Sequence, residues 1–355
     1  MMGRWVAAAA FLAAAAGVAG WAWTRSDALE RAEAAAAKAR TPEALAQAVR
    51  LATDHLDRQP WSRTAAKVAA IGLCRLDRPD EAEAYFRRMG RLGVEERRAR
   101  AYALVRANRR EEAIAAYREI LAERPDDAEA LRLLGGLHYS RKEYAPAAEA
   151  AKRLTGLPEG ASEGHRLLGT IYADEGDMTA AAEELLRVLE LDPGLRRTPS
   201  EARLPFFVHL GRSLLAVGRA EEAARHLEDA LAAGESPLLR TLLGQARRQL
   251  GDDAGAEAAW RRAVESDPGL GLAWLELGRL ELARGRVDEA IADLDRAAAV
   301  APEDVEVLFA LRSAHARRGD AEEAAELGER LEAARRRMKP RPGGMGPRPM
   351  IGGEE

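Results

Sequence analysis

Apolar residues along most of this chain recur at helical spacing. In the stretch AWLELGRLELARGRVDEAIADLDRAAAVAPED, Ala273 to Asp304, the positions Leu275, Leu277, Leu280 and Leu282 are followed by Ile291 and Leu294, with charged residues between. The pattern predicts two amphipathic helices. Gly285 lies between them and permits a chain reversal, and Pro302 ends the second. Gly278 and Ala290 are expected to face each other where the helices cross, since small side chains let two backbones approach. One such hairpin cannot bury its own apolar face, whereas stacked neighbours can.

The layout returns along the chain. A small residue falls at Ala82, Ala113, Ala147, Ala181, Ala223, Ala256, Ala290 and Ala324, at spacings of 31, 34, 34, 42, 33, 34 and 34. A glycine mark, Gly135, Gly169, Gly211, Gly244 and Gly278, has spacings of 34, 42, 33 and 34, the same irregularities in the same order. Pro125, Pro193, Pro268 and Pro302 close units. A period near 34 is the tetratricopeptide signature. The chain resembles the tetratricopeptide repeat (TPR) family: Trp274, Leu277, Gly278, Ala290, Leu294, Ala297 and Pro302 stand at its Trp, Leu-Gly, Ala, Phe, Ala and Pro positions. Glu281, where the family prefers Tyr, is a departure. The resemblance implies an all-α fold, a right-handed superhelical solenoid of helix-turn-helix repeats, with the first helix of each unit lining a concave groove.

The expected organisation is a hydrophobic anchor or signal segment at 1–25, a degenerate helical repeat at 26–62 and a solenoid at 63–338. A loop insertion is expected near 196–203, and a Pro/Gly tail without a packing pattern at 339–355. The last unit carries Arg312 in place of Gly and Gly328 in place of an aromatic, and its final helix is polar, as a capping unit requires. Trp5 to Trp23 is uncharged over 19 residues, about the length that spans a bilayer. Trp5, Trp21 and Trp23 suit an aromatic belt. Ten of the 19 are Ala, which leaves a cleaved signal peptide open, with Gly17-Val18-Ala19 as cleavage site. Both readings put the bulk of the chain outside the cytoplasm, as a single-pass tethered domain or as a secreted or periplasmic one.

Composition narrows the function class. Charged residues are 32% and nearly balanced, with formal net charge -4, which is not the basic footprint of a nucleic-acid binder. The single cysteine, Cys74, excludes an internal disulfide and a Cys-based zinc site, and reads as a small buried residue. Six His occupy different repeat positions without metal-ligand spacing, and His138 and His315 read as structural. Asp and Glu are abundant, on faces expected to be exposed and near Arg. No catalytic constellation, metal site or cofactor site emerges, and no small-molecule substrate is expected.

One pattern stands out. Glu95 with Arg98, Glu129 with Arg132 and Glu163 with Arg166 repeat Glu-x-x-Arg on the first helix of three consecutive units. Arg212, Arg248 and Arg279 follow on the same face in later units, with Tyr102 and Tyr139 beside the earlier ones. Arg binds carboxylates bidentately, so these eight residues form a candidate groove for an extended acidic peptide. The alternative is that each Glu and Arg pair off along their own helix, at about 0.2–0.5 kcal/mol per pair. The carboxylate clamp of chaperone-binding relatives is not matched: Tyr102, Gly136, Thr170, Arg212, Gln245, Arg279 and Ser313 stand where it needs Asn. The expected function is a membrane-tethered, non-enzymatic scaffold for protein–protein interactions. The alternative is an accessory subunit of an envelope or polysaccharide assembly complex, holding an enzyme or its partner peptide in the groove.

Overall fold

The computed structural model describes residues 41–196 and 203–338. Within them are seventeen α-helices, one short 3-10 turn and no strand. The chain divides into two compact units, up to Leu167 and from Leu168. The first contains α1 (Pro42–Arg58), α2 (Arg63–Arg75), α3 (Pro79–Met89), α4 (Val94–Arg106), α5 (Arg110–Glu123), α6 (Ala128–Ser140) and α7 (Tyr144–Thr155). The division falls inside α8 (Ala161–Glu175). The second continues with α9 (Met178–Leu191), α10 (Leu204–Ala216), α11 (Ala220–Ala233), α12 (Pro237–Gln249) and α13 (Asp253–Ser266). Four more helices follow: α14 (Gly271–Ala283), α15 (Val287–Val300), α16 (Val305–Arg318) and α17 (Ala321–Met338).

Local chemistry sets the helix ends. Asp127, Asp177 and Asp252 each accept a hydrogen bond from a backbone N–H three residues on, at 3.0, 3.0 and 2.8 Å, satisfying donors that a helix start leaves orphaned. Between the two helices of each hairpin, one residue adopts positive φ: Asp77, Asn108, Lys142, Gly176, Gly218, Gly251, Gly285 and Gly319. The next residue's N–H bonds back to the first helix, as from Arg286 to Glu281 O at 2.9 Å. These left-handed residues recur with the same irregular spacing as the small-residue mark. They show eight hairpins built on one plan.

Ala82, Ala113, Ala147, Ala181, Ala223, Ala256 and Ala290 are fully buried. The crossing differs in detail from the expectation. A Cβ at Gly278 would lie 2.5 Å from Leu294 Cγ and 3.1 Å from the Ala290 carbonyl oxygen. The glycine therefore accommodates a large side chain from the second helix, and the alanine lets its own backbone come close. In the last hairpin the sizes are exchanged: Arg312 stands at the glycine place and Gly328 opposite, its Cβ position 3.7 Å from Arg312 Cδ. Separate cores serve the two units, one running from Val49 through Phe86 to Ala103 and another around Leu185, Phe206 and Leu227.

The expectation that carboxylates lie on exposed faces is corrected at four positions. Glu83, Glu96, Asp127 and Glu281 are buried. Each has a cation within reach: Arg100 donates twice to Glu83, at 2.9 and 2.6 Å, and Lys67 stands 3.5 Å from Glu96. Arg98 donates to Asp127 and Arg286 to Glu281. A buried charge survives only when paired, and an Arg-rich chain supplies the partners. His138 and His315 are likewise structural, their Nδ1 atoms 2.5 and 3.0 Å from Glu143 and Asp320 across the hairpin turn.

The anchor or signal segment, residues 26–40 of the degenerate repeat, most of the 196–203 insertion and the 339–355 tail lie outside the described residues. Among the described residues no helix is long and apolar enough to cross a membrane.

Candidate functional site

In the first unit the candidate residues come from the first helices of successive hairpins. Arg98 and Tyr102 sit one turn apart on α4 and line a cleft of about 290 Å³. Ile71 and Cys74 of α2, Tyr117 of α5, and Glu129 and Leu133 of α6 complete much of its wall. Tyr102 is 48% exposed, whereas Tyr117 is 1% exposed. The Cys74 thiol is pushed up to about 12 by burial, so it serves as wall and not as a nucleophile.

Arg98 is heavily matched. Its Nη2 donates to Asp127, its Nη1 lies 3.7 Å from Glu95, and its Nε lies 3.9 Å from Glu129. The bond it donates to Asp127 pushes the guanidinium above its ordinary range despite partial burial. Arg132, at the same place one repeat on, is exposed and makes no hydrogen bond or ion pair among the described residues. The Glu129–Arg132 pair foreseen from the spacing is therefore not formed, because Glu129 is drawn towards Arg98 instead. Arg166 on α8 pairs with Glu163, its Nε at 3.0 Å. Tyr139 is half-buried against Tyr144, ring centroids 6.1 Å apart, and does not line the Arg98 cleft. Three look-alike motifs thus have three different surroundings.

In the second unit, Arg212 on α10 is exposed and makes no ion pair among the described residues. Arg248, near the end of α12, bonds Asp253 at the start of α13 and is taken up by the turn. Arg279 on α14 lies 3.4 Å from Glu276 and donates to Glu306 of α16 at 2.8 Å. Gln245 of α12 donates to the same Glu276 at 3.1 Å. Gln245, Glu276, Arg279 and Glu306 form a polar ladder that ties three first helices together.

Sequence reasoning missed Tyr117. It belongs to a second helix, where an aromatic reads as core. Its hydroxyl is nonetheless buried without a hydrogen-bond partner, as is Arg98 Nε. Burial pushes the Tyr117 phenol up, the Glu129 charge adds to this and the Arg132 charge opposes it without reversing the direction, so it remains a neutral donor. Among the described residues no group of three His, Cys, Asp or Glu could hold a metal ion.

A family profile described as tetratricopeptide repeat matches residues 98–162, 147–196, 209–271 and 275–338, together more than half of the chain. Cellulose synthase operon protein C of Xanthomonas axonopodis pv. citri (strain 306) is 29% identical over 239 residues, covering 61% of this chain and 15% of its own length. This chain thus spans only a small part of that relative. Among solved structures, a tetratricopeptide repeat protein from Parabacteroides merdae is 14% identical with a TM-score of 0.49, covering 73% of this chain and 99% of that one. The APC/C hetero-tetramer Cut9-Hcn1 gives 16% identity and a TM-score of 0.48, over 76% of this chain and 52% of that one.

Proposed function

Because the chain belongs to the tetratricopeptide repeat family, we propose that it is a non-enzymatic scaffold that holds an extended segment of a partner protein against its first helices. The observation that carries this reading is the cleft between α2, α4 and α6, where exposed Tyr102 stands beside a wall of both polar and apolar residues. Arg132 offers an unengaged guanidinium on α6, suited to an acidic group of the bound segment. Arg98, by contrast, already has its carboxylates.

Arg132→Ala and Tyr102→Ala are the informative variants, since Arg98→Ala would also strip buried Asp127 of its cation. Crosslinking in cells from positions 102 and 132, followed by mass spectrometry, should recover the same partners from the wild-type chain. The double variant should lose roughly 2 kcal/mol or more of capture, as a binding hot spot does, with an unchanged thermal melt. Full recovery of every partner by that variant would end the groove reading.

Two further features belong to the same proposal. The uncharged Trp5–Trp23 stretch supports attachment to, or export across, a membrane. A relative named for a cellulose synthase operon favours a place in an envelope or polysaccharide assembly complex, with the scaffold as an accessory subunit. A reporter active only outside the cytoplasm, fused after Met338, should be active. Activity only of a cytoplasmic reporter would place the repeats on the inner face.

A further inference from the structure

Two residues that line the cleft of the first unit each carry a buried donor with nothing to bond. Tyr117 Oη and Arg98 Nε have no hydrogen-bond partner, and both residues line the same space. Buried polar groups are paired as a rule, and an orphan calls for an explanation. The second unit provides a control. Trp260 occupies in its repeat the place that Tyr117 occupies in its own, and its Nε1 donates to the Thr241 carbonyl at 3.0 Å. Thr241 is the repeat equivalent of Arg98. A large aromatic at this place thus reaches across to the groove-lining helix, and Trp260 finds its acceptor there. Tyr117 reaches to the same region and finds none.

The missing partner is an acceptor, and the surrounding charges restrict its kind. Arg98 already has Glu95, Glu129 and Asp127 about it, and Arg75 adds one cation at the wall. Arg132 also reaches Tyr117 with its charge, so a carboxylate entering here would be a fourth negative group against three positive ones. A carbonyl oxygen carries no net charge and has two lone pairs, one for each orphan donor. An amide brings N–H groups as well, which the 57%-exposed Glu129 side chain can accept. At about 290 Å³ the space is at or below the small end of ligand pockets, roughly 300–1,000 Å³. It suits one side chain and not a cofactor.

We propose that this cleft reads the side-chain carboxamide of a Gln or Asn on an extended partner peptide, with its oxygen on Tyr117 Oη and Arg98 Nε and its nitrogen towards Glu129. The proposal rests on the groove reading above and makes it specific. Acidic groups of the same peptide belong at Arg132, not in this cleft.

The test uses the full chain and a set of fluorescein-labelled hexapeptides in an Ala/Pro background, the central residue being Gln, Asn, Glu, Asp, Leu or Ala. Fluorescence anisotropy should show the Gln or Asn peptide binding at least about tenfold tighter than its acid counterpart, the equivalent of one good hydrogen bond. Tyr117→Phe, which keeps the ring, should bring the two within about twofold by weakening the amide peptide. Glu129→Gln, at an exposed position, should narrow the same ratio from the other side by admitting the Glu peptide. Equal or tighter binding of the Glu peptide to the wild type would overturn the proposal. So would an Ala-centred peptide that binds as well as the Gln peptide, since a main-chain amide would then be the occupant. A ratio unmoved by Tyr117→Phe would overturn it too. Binding of every peptide without preference defeats the carboxamide alone, whereas binding of none defeats the groove reading with it.

Discussion

Arg98, Arg132 and Arg166 are spaced alike and situated differently, and the cause is visible residue by residue. Arg98 reaches Asp127, which caps α6. The corresponding residue for Arg132 is Ala161, which offers no carboxylate. The 34-residue spacing was legible in the sequence, but the unequal pairing depends on a residue in the next repeat that the Glu-x-x-Arg motif does not include. Tyr117 was less legible still, because its distinction is a missing bond. Its stability effect separates a waiting donor from a structural one. Urea denaturation of Tyr117→Phe should show stability unchanged or higher by up to about 1 kcal/mol, since an unsatisfied buried hydroxyl is removed. Trp260→Phe loses both volume and the bond to Thr241, and should cost about 1–3 kcal/mol. A loss beyond about 1 kcal/mol in Tyr117→Phe would mean that the hydroxyl holds the fold together.

The hairpins were readable as elements because their turns, crossings and insertions keep one register. What could not be read was a turn without its glycine. Asp77, Asn108 and Lys142 take the left-handed conformation that Gly176, Gly218, Gly251, Gly285 and Gly319 take elsewhere. The backbone bonds of the turn impose it, at a cost to any residue with a Cβ. Lys142→Gly should therefore raise stability by about 0.5–1 kcal/mol, against which the greater freedom of glycine in the unfolded chain works. Neighbouring glycines of α6 give a second contrast. A Cβ at Gly135 would meet Leu167 Cδ2 at 2.8 Å, and at Gly136 nothing within 4 Å. In thermal or urea melts Gly136→Ala should gain about 0.5–1 kcal/mol from helix propensity, while Gly135→Ala should forfeit that gain to crowding. Ala290→Leu at the fully buried crossing should cost about 1–3 kcal/mol, and Ala321→Leu on an exposed turn of α17 should change little. Equal effects at 290 and 321 would disprove the register.

Across the molecule, the near balance of charge conceals many fixed pairs, and their shared signature is sensitivity to acid. Arg106 holds the Asp77 carboxyl below its usual range, and Arg97 does the same for Glu123. At Glu83, burial pushes the carboxyl up, but the bonds and charge of Arg100 outweigh it and the net direction is down. In the second unit Glu222 is lowered by Arg219, Glu257 by Arg284 and Asp320 by His315 and Arg318. Asp293 goes the other way, raised by burial. A carboxylate whose folded pKa is depressed binds its proton more readily when unfolded. Its stabilisation is thus complete above the unfolded value, about 4, and is lost as pH falls through the folded one. Most of these pairs are exposed, so each contributes little and less at high salt. Glu83 is the buried exception, tied to Arg100 by two bonds. Unfolding midpoints in urea should be flat from about pH 7 to 8, dip slightly as pH falls through about 6.5 because burial holds the His209 imidazole below its ordinary range, and decline further below about 4.5. Glu83→Gln should be less stable than wild type at neutral pH, and the gap should close as the medium is acidified, because protonation removes from the wild type the charge that the variant never had. A gap that stays constant down to the acid limit would show that Glu83 stabilises by shape alone and that the Arg100 pair is not what anchors α3 to α4.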